Sequence, residues 1–135
     1  MKRIFGIFVL IGGLASVSLA QKLDVAKVPA SVKAAFAKRH PATKVNWEME
    51  KVNYEAGFSL NGKEISEVYA KSGALLETEI EIKSSELPTP VLAKLRGMKI
   101  AEAARITKAD GTLNYEAEVK GKDLLFDANG NPIKS

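Results

Sequence analysis

The sequence predicts an α+β fold: a tandem repeat of one helix plus antiparallel β-strands, with the helices packed on one face of the sheet. Three observations carry this. Four markers recur in the same order, Pro29 with Pro88, Tyr54 with Tyr115, Gly62 with Gly121 and Gly73 with Gly130, at separations of 57 to 61 residues. Each copy opens on a short run with helical spacing of apolar residues. Each then continues in segments that alternate apolar and polar residues, the mark of half-buried strands.

The N-terminus precedes this repeat and reads as an export signal. Lys2 and Arg3 give a positive start, and no charge interrupts Ile4 to Leu14. Small residues at Ser18 and Ala20 set up cleavage between Ala20 and Gln21. The apolar run is shorter than the roughly 20 residues that span a bilayer, so a removable signal (residues 1–20) is expected rather than an anchor. The expected product is periplasmic or extracellular, with no stable membrane insertion after signal removal. Without Cys there is no site for lipid attachment through a cysteine. What remains is 115 residues with 18 basic and 16 acidic side chains, a net charge of +2. Lys and Arg are dispersed among Glu and Asp, with no basic stripe to track a phosphate backbone, which argues against nucleic-acid binding.

Residues 21–27 are expected as a short N-terminal linker, 28–83 as the first repeat and 84–135 as the second. In the first, Pro29 suits the opening turn of a helix, where its missing N–H costs nothing. Val28, Val32, Ala35 and Phe36 share one face, and His40-Pro41 ends the helix because the residue before proline is pushed out of helical space. Val45, Trp47 and Met49 alternate with Asn46, Glu48 and Glu50 in a first strand. Tyr54 to Leu60 alternates again, and Asn61-Gly62 is a strong hairpin signal. Lys63 to Tyr69 returns, Ser72-Gly73 turns, and Leu76, Thr78, Ile80 and Ile82 oppose Leu75, Glu77, Glu79 and Glu81. In the second repeat, Ser85 or Glu86 leads into a helix carrying Leu87, Val91, Leu92 and Leu95, ended by Gly97. Strands follow near Lys99–Thr107, at Leu113–Val119 and at Leu124–Phe126, with turns at Asp110-Gly111, Gly121 and Asn129-Gly130.

The order of Val28 to Phe36, Pro41 to Trp47, Tyr54 to Ala56, Gly62 to Tyr69 and the second start at Leu87 resembles the PepSY-like family of exported bacterial proteins. The likeness runs from about Val28 to Ile133. It implies a fold similar to the beta-lactamase inhibitory protein, itself a tandem of helix-plus-sheet repeats, and a secreted location. Related modules occur in protease propeptides and are thought to restrain peptidases. The resemblance brings no catalytic residues. The inhibitors of this shape are disulfide-bonded, whereas this chain has no Cys.

Catalytic chemistry finds little to stand on. Without Cys there is no thiol nucleophile, and with His40 alone there is no two-histidine metal site. His40 closes a helix, where a cationic ring meets the last carbonyls favourably. Asp127 to Asn131 lacks the ligand spacing of a calcium loop and reads as a hairpin turn. An enzyme built on Glu48, Glu50 or Glu55 would require an acid with a raised pKa. The expectation is therefore no enzyme and no cofactor, but a binding module with a protein partner in the cell envelope, an inhibitor or regulator of a hydrolase or peptidase. The alternative is a structural or sensory protein that binds a small ligand, a peptide or an envelope component. The candidate partner surface comprises Glu55 and Glu116, which follow the repeated tyrosines, and the alternating stripe Glu77, Glu79 and Glu81. Trp47 joins it as either a core residue or an exposed anchor.

Overall fold

The computed structural model describes residues 21–134, and the expected signal and its cleavage site lie outside the described residues on the N-terminal side of Gln21. Eight strands follow one another in sequence order: β1 (Gln21–Leu23), β2 (Asn46–Glu50), β3 (Asn53–Leu60), β4 (Lys63–Tyr69), β5 (Leu75–Ile82), β6 (Glu102–Lys108), β7 (Leu113–Val119) and β8 (Lys122–Asp127). Two helices accompany them, α1 (Ala30–Arg39) and α2 (Thr89–Lys94). The described chain falls into two compact units that part after Thr78.

In the first unit α1 begins directly after Pro29, whose carbonyl accepts from the amides of Val32 and Lys33. It stops at His40, ahead of Pro41. Val32 and Phe36 are the residues it buries, and both join Val28, Trp47, Ala56, Phe58 and Tyr69 in one core. Phe36 meets Trp47 and Phe58 edge-on, with ring centroids 5.5 and 5.2 Å apart. Such pairs contribute about 0.5–1.5 kcal/mol each beyond their buried area. The antiparallel register places Trp47 opposite Ala56, and Ala56 opposite Glu67, so the helix-facing row runs straight across β2, β3 and β4.

In the second unit α2 is shorter, and a 3₁₀ turn over Ser84–Glu86 precedes it. Its Val91 joins Leu87, Leu95, Ala103, Ala117, Val119 and Phe126 in a second core. Strands β6, β7 and β8 pair antiparallel, with Ala103 opposite Ala117 and Tyr115 opposite Phe126.

Four details depart from the sequence expectation. Residues 21–27 are not a plain linker. They supply β1, which pairs along β2 with Leu23 opposite Trp47, and a 3₁₀ turn over Val25–Lys27 capped by the Asp24 carboxylate. Three residues are too few for alternation to show, and the pairing comes from the free edge of β2. The β6 strand starts at Glu102 rather than Lys99, because Gly97, with φ +81°, is followed by an irregular stretch that reaches the sheet only at Ala101. The β8 strand extends beyond Leu124–Phe126 to Lys122–Asp127, since its turn is only the pair Lys120-Gly121. The last turn at Asn129-Gly130 closes on a single bridge, Phe126 with Pro132, rather than a further hairpin of strands.

Candidate functional site

Strand alternation separates two faces in each unit, and the carboxylates gather on the face turned away from the helix. In the first unit, Glu48 stands opposite Glu55 across β2 and β3, with Val68 next in the row on β4. Glu50 follows Glu48 along β2, Glu64 shares the face on β4, and Glu77 of β5 is close enough to act on Glu55 electrostatically. Glu55 is 5% exposed. Burial first, and then the negative charges of Glu50, Glu48 and Glu77, push its carboxyl up to about 8. In the second unit Glu116 stands opposite Ala104 and Leu125, flanked along β7 by Glu118, which faces Glu102 and Asp123. Glu116 and Glu79 are buried, at 4% and 3% exposure. Glu81 is half-buried, two residues beyond Glu79 on β5.

The structure therefore brings Glu77 close enough to Glu55 for its charge to be felt there. It seats Glu79 and Glu116 as buried acids of the second. Glu55 and Glu116 occupy the floor of their faces rather than an outward rim, because each sits in the middle of a central strand. Trp47 resolves the other way from an exposed anchor. It is 4% exposed and packs against Phe36 and Tyr69, on the helix side of the sheet.

A different acid is the best-organised polar group. Glu67 lies on the helix-facing side, between Ile65 and Tyr69 in the alternation, and is almost fully buried. Its Oε1 accepts from the Tyr69 hydroxyl at 2.8 Å and lies 2.9 Å from His40 Nε2. Its Oε2 is 3.5 Å from Arg39 Nε. A buried carboxylate needs such partners to offset the loss of water. These partners also fasten the last turn of α1 to β4. The His40 ring thus meets Glu67 and the faces of Phe36 and Phe58, rather than the helix carbonyls expected from its position. A signal for Glu67 existed: an acid at an apolar-parity position of a strand implies an internal partner. Tyr69 lies two residues away on the same strand, but His40 and Arg39 lie 27 and 28 residues away and follow no local spacing.

Among the described residues, no group of three or more His, Cys, Asp or Glu side chains converges to hold a metal ion. The Asp127 loop is a turn: its carboxylate accepts from the amides of Asn129 and Asn131 at 2.9 Å and from the Asn131 side chain at 3.0 Å. No helix among the described residues is long and apolar enough to cross a membrane.

No family model matches the chain, and no curated protein matches it. Solved structures do. A protein of Bacteroides eggerthii, named as a candidate periplasmic protein, aligns with a TM-score of 0.69 at 18% identity, over 78% of this chain and 86% of that one. A DUF2874 family protein of Bacteroides uniformis aligns at 0.68 and 20% identity, over 78% and 86%. A BLIP-like protein of Bacteroides fragilis aligns at 0.61 and 21% identity, over 78% and 83%. None of these names is an enzyme's. At these identities the likeness establishes the fold, which is the beta-lactamase-inhibitor-like arrangement that the sequence resemblance implied.

Proposed function

We propose that the chain is a non-catalytic binding module of the periplasm or extracellular space, released by cleavage between Ala20 and Gln21. In this reading it is a PepSY-like tandem of repeats 28–83 and 84–135, and its partner is a protein of the cell envelope. A hydrolase or peptidase held in check by the module is the partner class the shape favours. The observation that carries the reading is the carboxylate-bearing sheet face, with Glu48 and Glu55 in one cross-strand row and Glu50 and Glu77 beside them. A sheet covered on one side by its helix needs only one apolar face, so the chemistry of the other is free for recognition. Among the described residues, no group of three or more His, Cys, Asp or Glu side chains could hold a metal ion. The raised carboxyl of Glu55 is explained by burial and by three like charges, without a catalytic partner.

The test is affinity capture with the exported protein immobilised, beside a variant in which Glu48 and Glu77 are replaced by Lys. An envelope protein retained by the wild type, lost with the variant and eluted by about 0.5 M salt is the expected result, since screening weakens exposed charge pairs. Equal retention by both proteins would move the interface elsewhere, and a blank would reject the tight-partner reading.

A further inference from the structure

The carboxylate face of the first unit has one central position without a side chain. Gly57 on β3 stands between Asn46 on β2 and Ser66 on β4 in one cross-strand row. Having no side chain, Gly57 leaves a shelf, and a Cβ placed there would meet nothing closer than the Asn46 carbonyl oxygen at 3.7 Å. Ser66 faces the same side as this shelf, is 6% exposed, and its Oγ has no hydrogen-bond partner. A buried hydroxyl without a partner forfeits about 1–3 kcal/mol, so the position makes sense if something else completes it. The row on one side of the shelf holds Glu48 and Glu55, and the row on the other holds Ser59 and Glu64. Same-face neighbours one row away along a strand are about 7 Å apart, and adjacent strands about 5 Å.

We infer that the Gly57–Ser66 shelf between Glu55 and Glu64 is a subsite for a guanidinium group, the side chain of an arginine on an extended partner segment. The inference rests on the binding-module reading and names the chemistry that its acidic face would take. A metal ion demands convergent ligands, and among the described residues no group of three is close enough. A guanidinium instead spreads five N–H donors in a plane. It can thus reach a carboxylate in one row and a hydroxyl in the next, which a compact ammonium cannot do as well. The charge logic agrees: Glu55 already feels Glu50, Glu48 and Glu77, and a cation on the shelf relieves that repulsion. Proton linkage follows. Glu55 is largely protonated at pH 7 and gives up its proton when the cation binds, so binding tightens as pH rises toward and past 8.

The experiment is isothermal titration of the exported protein with acetyl-(Arg)3-amide, in two buffers of different ionisation enthalpy at pH 7.0 and 8.5. Acetyl-(Lys)3-amide and the neutral citrulline trimer serve as comparators. The expected results are a preference for arginine over lysine, no binding of citrulline, and release of close to one proton at pH 7.0. Affinity should rise up to about ten-fold at pH 8.5. Ser66→Ala should weaken binding about five-fold, and Glu55→Gln should weaken it at least about ten-fold and abolish the proton release. Trp47 emission, reporting the core on the opposite side of the sheet, confirms that each variant is folded. Absence of binding, equal affinity for arginine and lysine, or unchanged affinity in folded Ser66→Ala and Glu55→Gln proteins would each overturn the subsite. Failure of the peptide while an envelope protein is still captured through Glu48 and Glu77 would overturn the subsite and leave the module reading standing. Peptide binding with a blank capture would do the reverse.

Discussion

Replacing Gly73 by alanine tests how each helix is seated on its turn. Gly73 closes the turn between β4 and β5, its amide donating to the Ala70 carbonyl, and its φ is +93°. An alanine Cβ there would lie 2.7 Å from the Ser31 carbonyl oxygen and 3.2 Å from its carbon, both in the first turn of α1. The obstacle is backbone that the Ser31 hydroxyl also ties down, through its 2.6 Å hydrogen bond to the Lys71 carbonyl. Two costs therefore add. The left-handed conformation costs a residue with a Cβ about 1–2 kcal/mol. Displacing α1 from the turn costs about 2 kcal/mol more, by analogy with overpacked cores. The control is Gly121→Ala, at φ +76° with nothing within 4 Å, which pays only the first cost. In urea denaturation of residues 21–135 followed by Trp47 emission, Gly73→Ala should lose about 3–4 kcal/mol and Gly121→Ala about 1–2. At about 4 °C per kcal/mol the melting points separate by roughly 8 °C. Gly130 is the corresponding case against α2, with the Pro90 carbonyl oxygen at 2.7 Å, and should resemble Gly73. If Gly73→Ala costs no more than Gly121→Ala, the helix is not wedged against the turn, and the reasoning fails.

Three further outcomes are expected. Glu67→Ala strips the Tyr69 hydroxyl, His40 and Arg39 of their shared acceptor and should cost about 3 kcal/mol in urea denaturation, whereas Tyr69→Phe should cost about 1; equal costs would mean the network is not centred on Glu67. Glu55 has a folded carboxyl raised from 4.5 to about 8, so the folded state holds its proton more tightly, and the stability this brings is full below pH 4.5 and lost as pH climbs to about 8. That loss is at most a few kcal/mol, and Glu55→Gln should flatten the slope of stability between pH 5 and 8.5; an unchanged slope would contradict the assignment to this residue. Asp127 has the opposite sign: hydrogen bonds from Asn131, Asn129 and Gly130 lower its carboxyl, so what it contributes is lost as pH falls through the acid range, and Asp127→Asn should remove that acid-side loss from a melting-point profile.

The two helices, the hairpin Asn61-Gly62 and the long alternations of β3, β5 and β7 were legible because each is encoded locally, by spacing within a few residues. Trp47 illustrates what locality leaves open. Its parity marked it as apolar, but whether it faced a helix or solvent depended on where Phe36 came to lie, and that is set by the approach of α1. The network of Glu67 shows the same limit from the polar side. Parity placed an acid on the wrong face of β4, yet only the fold brings Arg39 and His40 from the end of α1 to meet it. The acidic face is an intermediate case. Alternation alone put Glu77, Glu79 and Glu81 on one side of β5, but the row joining Glu48 to Glu55 arises from the β2–β3 register, which the tight turn at Lys51 sets. A one-residue slip of that register would send Trp47 outward and Glu48 into the core. The packing of Phe36 on Trp47 that stabilises the first unit is therefore also what holds its carboxylates on the opposite face.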